Sequence, residues 1–147
     1  MRKQFLIGLT VAAMIVYSCI EDSGAIKVIG VSNAAEAGYA PQVSNEREIK
    51  VTVTLHGIPD ATKTWDFEVA LETHTKALND DLTKSSVLIA DGKQYLPLSW
   101  DGSPPGGHHR KGKLRFKAIA PQPAAVELQI RLSGEPAPRK FNWPKKP

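Results

Sequence analysis

Two stretches decide the fold: "IKVTVTL" at residues 49–55 and "WDFEVALET" at residues 65–73. In the first, Ile49, Val51, Val53 and Leu55 alternate with Lys50, Thr52 and Thr54; in the second, Trp65, Phe67, Val69 and Leu71 alternate with Asp66, Glu68, Ala70 and Glu72. A period of two puts every second side chain on one face of a pleated strand, so each stretch predicts a strand with one dry face and one wet face. The His56-Gly57-Ile58-Pro59-Asp60 segment between them reads as a turn.

The same alternation recurs downstream at Leu114, Phe116 and Ala118 and again at Val126, Leu128, Ile130 and Leu132, with Phe141 and Trp143 closing the chain. Ser86–Ala90 and Lys93–Leu98 flank Asp91-Gly92, a pair suited to a two-residue hairpin turn because both positions tolerate positive φ. Pro97 consigns the second arm to an edge or an end. About seven short strands with turn signals every 8 to 12 residues predict an all-β, immunoglobulin-like antiparallel sandwich. Helix is confined to a turn or so within Leu78–Lys84, and Trp65 and Trp143 are assigned to the core.

The front of the chain differs in kind. Arg2 and Lys3 precede an uncharged, mostly apolar run, "FLIGLTVAAMIVYSCI" (residues 5–20), which ends before Glu21 and Asp22. That is the layout of an export signal, and about 16 residues is short for a spanning helix, which takes roughly 20. Cys19, the one cysteine of the chain, closes Val16-Tyr17-Ser18-Cys19, a stretch that resembles a bacterial lipobox apart from Tyr17. The resemblance implies lipidation at Cys19 and a membrane anchor there; release into the periplasm or medium after ordinary cleavage, and an uncleaved anchor, are the alternatives. The expected organisation is a leader over 1–19, a flexible Ala/Gly/Ser-rich tether over 20–45 and the sandwich domain over 46–147.

Either processing route leaves no cysteine for a disulfide or a thiolate metal site, so packing has to hold the domain. The 147 residues carry 19 Lys+Arg against 15 Asp+Glu; loss of Arg2 and Lys3 brings the formal charge from +4 to +2, too near balance to favour nucleic acid as a partner.

"PPGGHHRKG" (residues 104–112) carries the most chemistry. Imidazole nitrogen is a common ligand of copper and zinc, and His108 and His109, joined by His74 from a strand end, would supply three. Against a metal, neighbouring residues on extended backbone point apart, and neither a His-x-His nor a His-Glu-x-x-His spacing is present. The structural alternative turns one histidine inward against Thr73 or Thr75, with Arg110 paired to Asp101 or stacked on Trp100. Trp100 and Arg110 are then the side chains this rim offers to a ligand or partner. Nucleophile elbow, phosphate loop and zincin helix are all missing, so the reading is not that of an enzyme.

"WDFEVALETHT", "LNDDL", "SVLIADGKQYLPLSWDGSPPGGHHRKGKLRF" and "RKFNWP" together resemble a group of uncharacterised exported bacterial proteins that share Trp-x-Phe-x-Val-x-Leu-x-Thr-His-Thr and Gly-Gly-His-His-Arg-x-Gly-x-Leu-x-Phe patterns. The likeness spans about Ile49 to Trp143 and implies a recurring exported β-sandwich; it brings no catalytic or ligand role. The functional expectation is a cell-envelope binding or accessory module that presents its loop rim to an envelope protein. The alternative is a periplasmic copper- or zinc-binding domain using His74, His108 and His109.

Overall fold

The computed structural model describes residues 38–58 and 62–145; Cys19, the leader and most of the expected tether lie outside them. The described residues form β1 (Gln42–Glu46), β2 (Ile49–Leu55), β3 (Thr64–Thr73), α1 (Leu82–Ser85), β4 (Ser86–Ala90), β5 (Lys93–Tyr95), β6 (Ser99–Gly102), β7 (His109–Lys117), β8 (Ala125–Ile130) and β9 (Arg139–Pro144). Every pairing is antiparallel. One sheet runs β1-β2-β3-β7-β6 and the other β5-β4-β8-β9. With β1 set aside, this is the order in which an immunoglobulin-type Greek key places its strands A-B-E-D and C′-C-F-G.

Alternation in sequence becomes burial in space. Val51, Val53 and Leu55 of β2, Phe67 and Val69 of β3, and Leu88 and Leu128 of the opposite sheet are fully buried in one cluster. Phe67 joins the two layers: its ring lies edge-on to Phe116 at 5.5 Å and tilted against Trp143 at 5.3 Å. Each such side chain contributes about 1.5–3 kcal/mol on burial. The rings of Trp65 and Trp143 belong to this core as expected, although their indole N–H groups find no acceptor among the described residues. Asp91 and Gly92 take φ of 48° and 73°, which makes the expected hairpin turn between β4 and β5.

Three boundaries differ from the sequence reading. The domain starts upstream of residue 46, because Gln42–Asn45, within the expected tether, pairs with Glu46 along β2 as an edge strand. The arm expected over Lys93–Leu98 ends at Tyr95; the chain crosses there to the other sheet, and Ser99–Gly102, not among the expected strands, pairs with β7. Pro97 sits in that crossing, where no ladder hydrogen bond is asked of it. Finally, β7 opens at His109, inside the 104–112 stretch and ahead of the alternation that begins at Leu114.

The free edges of β1 and β9 are closed against each other by a side chain. Gln42 Nε2 donates to the Asn142 carbonyl at 2.6 Å, and the Asn142 amide donates to Gln42 Oε1 at 3.0 Å, so one carboxamide imitates a rung of sheet. Nearby, Arg139 is buried on the inner face of β9. Its guanidinium donates to the Glu135 carboxylate, to the carbonyls of Ile49 (2.7 Å) and Ser44 (3.1 Å), and to the Glu46 carbonyl (2.8 Å). One residue of the second sheet thus holds the β1–β2 hairpin of the first.

Replacing Arg139 by Met leaves the buried Glu135 carboxylate and three carbonyls without their donor. The expected loss is about 3–5 kcal/mol, read as a lower urea midpoint at unchanged slope. Arg139→Lys keeps the charge but not the fork, and is expected to fall between the two.

Candidate functional site

Four connections meet at the end of the sandwich marked by Thr73, Arg110 and Arg139: the β1–β2 turn, the 74–81 segment, the 103–108 segment and the 131–138 segment. They are stitched together by backbone. Leu78 N–H donates to the Gly107 carbonyl at 3.0 Å and Gly106 N–H to the Leu78 carbonyl at 2.8 Å, a reciprocal pair that makes two loops into one small ladder. Thr73 N–H donates to the His108 carbonyl, and Asp80 accepts from both the amide and the hydroxyl of Ser133. Gly106 and Gly107 have φ of 115° and 70°, the region that favours glycine, and this lets the 103–108 segment turn its backbone toward Leu78.

Arg110 lies beneath this ladder. It was expected to be offered to a partner; instead it is buried, with 2% of its surface exposed. Its guanidinium donates to the carbonyls of Leu78 (3.2 Å), Asp80 (2.6 Å) and Ser103 (3.3 Å), and stacks 5.7 Å from the centre of the Trp100 ring. The stacking expectation is met, and the pairing with Asp101 is replaced by backbone carbonyls. An inward position in the β7 register explains the burial: Arg110 faces the interior with Leu114 and Phe116. Burial pushes its pKa down, opposed by the charges of Asp80 and Asp81.

Trp100, half-buried, donates from Nε1 to the Ser103 carbonyl at 2.8 Å. Its ring crosses Gly102 and Gly112: a Cβ on Gly112 would meet the Asp101 carbonyl oxygen and Gly102 Cα at 2.5 Å and the Trp100 ring at 2.9 Å. The spacing carries this signal in retrospect, since period two sets Trp100 with Gly102 and Arg110 with Gly112 on the inner face. Glycine in each partner position is what admits the indole.

The three histidines are all exposed, and none turns inward against Thr73 or Thr75. The Thr73 hydroxyl instead accepts from the amides of Thr75 and Lys76 and closes the strand end as a local turn. His109 stands on the outer face opposite Glu72, whose carboxylate bonds Lys50 at 2.9 Å and is held below its usual range by that bond first, with smaller help from His109 and His74. A shallow cleft of about 440 Å³ beside it is lined by Glu48, Lys50, Glu72 and His74. His74 and His109 therefore share one carboxylate neighbourhood, but no set of three His, Cys, Asp or Glu that could hold a metal occurs among the described residues.

The outer face of the same sheet carries a second polar cleft, of about 300 Å³, at the opposite end. Glu68 there takes Lys111 at 2.7 Å and His56 at 3.3 Å, and Asp66 takes a two-pronged bond from Arg115 at 2.8 and 3.0 Å. The Arg115 hydrogen bond holds the Asp66 carboxyl below its usual value.

No protein-family model, curated protein or solved structure matches the chain, so the reading of the site rests on this geometry.

Gly112→Ala is expected to destabilise the domain by about 1–3 kcal/mol, since the added methyl meets backbone on both sides, with Trp100 fluorescence altered; a thermal melt and an emission spectrum check it. Asp66 has a folded pKa below its unfolded one, so its stabilising effect is complete above the unfolded value and is lost as pH falls through the folded value. Asp66→Asn is accordingly expected to lower stability at neutral pH and to flatten the decline below about pH 4, as measured by urea unfolding at several pH values.

Proposed function

We propose that this chain is an exported, membrane-tethered binding module whose loop rim docks a protein partner in the cell envelope. The leader-like residues 1–19 and the lipobox resemblance at Cys19 support the location. The observation that carries the role is the Leu78–Gly106/Gly107 backbone ladder over a buried, fully engaged Arg110. Loops cross-linked in this way lose little conformational freedom on docking, which is the physical advantage of a preformed recognition surface.

The side chains left for contact are those above the ladder: His74, His108 and His109, with an exposed portion of Trp100. Arg110 serves as the support of this surface and not as part of it. A copper- or zinc-holding rim has less behind it, because the described residues supply no trio of donors.

A photo-crosslinking residue at position 108, compared with one at position 129 on the far sheet, tests the reading in envelope preparations. The expected outcome is one discrete adduct from 108 and none from 129. Equal ladders from both positions, or no adduct from either, would reject it. Copper or zinc binding that disappears in H74A/H108A/H109A would put the metal reading in its place.

A further inference from the structure

The two ends of the sandwich differ in how the lysines of their connections are met. At the rim, Lys76 pairs with Glu48 at 3.7 Å and bonds the Arg47 carbonyl, and Lys84 pairs with Asp81 at 3.3 Å. At the opposite end stand Lys63, Lys93, Lys117 and Lys145, all exposed. None of the four ammonium groups has an ion-pair partner among the described residues.

Register places the four together. Lys117 lies opposite Thr64, beside Lys63, whose carbonyl accepts from Ala118. Lys93 opens β5 opposite Ala90, and Lys145 continues β9 past Pro144, its amide donating to Ala124. They ring the connection from Ala118 to Ala124, which has no charged residue and exposes Ala120, Pro121 and Ala124. Of the acids near these strand ends, Asp66 and Glu68 are taken by Arg115 and Lys111, and Asp91 precedes Lys93 by two residues.

The chain also joins the sandwich at this end: Tyr39 N–H donates to the Leu55 carbonyl, and Leu55 lies opposite Phe67 near the start of β3. An uncharged loop inside a ring of unpaired lysines, at the end where the tether arrives, fits a flat anionic surface. We infer that this base rests on anionic lipid headgroups, holding the histidine rim away from the bilayer. The inference rests on the tethered-module reading for its biological setting, while the contact itself needs no anchor.

The strands and core of the described residues lie between Tyr39 and Lys145, so the chain from Ser32 onward keeps the sandwich and serves for the test without lipid. Cosedimentation with phosphatidylcholine vesicles containing about one-third phosphatidylglycerol is compared with pure phosphatidylcholine, at about 50 mM and about 500 mM salt. Each lysine near such a surface is worth roughly fivefold in partition, so K63Q/K93Q/K117Q/K145Q is expected to lose at least tenfold of the binding. R47Q/K76Q/K84Q/R131Q, which removes as many cations from the rim, is expected to lose less than threefold, with both variants keeping the parent melting curve.

Equal loss in the two variants, binding that ignores phosphatidylglycerol or salt, or binding to heparin without binding to vesicles would overturn the inference. Mass spectrometry of the amino terminus from native membranes reads lipidation at Cys19 separately, so a missing anchor and a lipid-indifferent base give different results.

Discussion

Arg139 sets the condition that the rest of the domain obeys. A guanidinium taken out of water is costly unless its donors are met, and this one is met by the Glu135 carboxylate and by carbonyls at Ser44, Glu46 and Ile49. The β1–β2 turn between those carbonyls places Arg47 and Glu48 at φ of 49° and 68°, a region non-glycine residues enter at a cost of order 1 kcal/mol each. The turn accepts that strain where the buried cation holds its carbonyls in place. In a sandwich whose described residues contain no cysteine, this contact, with the Gln42 carboxamide against Asn142, does the cross-linking of sheet edges.

Arg110 repeats the device one layer over. It too sits at an inward strand position, and it too is met chiefly by backbone carbonyls, here from the segments at Leu78, Asp80 and Ser103. Two arginines under four connections make the rim a single hydrogen-bonded layer, so exposed imidazoles at His74, His108 and His109 are carried on a surface of defined shape.

Period two made most of the strands legible, because β2, β3, β7, β8 and β9 each have at least two apolar residues on the inner face. It failed where that signal is thin. β1, "QVSNE", has one aliphatic residue and turns it to solvent at 57% exposure; β6, "SWDG", has only Trp100. Both are edge strands, specified by pairing with a neighbour more than by a buried face of their own. The arginines were hidden for a different reason: residue type argues for the surface, and only the register of β7 and β9 argues against it. Its imidazoles make the histidine loop conspicuous in the sequence, yet the structural work of that stretch is done by Gly106, Gly107 and Arg110.

Net charge is a poor guide to what such a domain touches, since near-balance over the whole chain conceals a difference between its ends. Two rim lysines lie beside acids that neutralise them, Lys76 beside Glu48 and Lys84 beside Asp81. Lys63, Lys93, Lys117 and Lys145 have no ion-pair partner among the described residues, and salt screens exposed charges over too short a distance for remote acids to compensate. Folding alone does not call for this arrangement, because like charges gathered at one end repel and weaken the compact state slightly. The two ends therefore present different electrostatic faces, and Tyr39, whose amide donates to the Leu55 carbonyl, lies at the end that carries the four unpaired lysines.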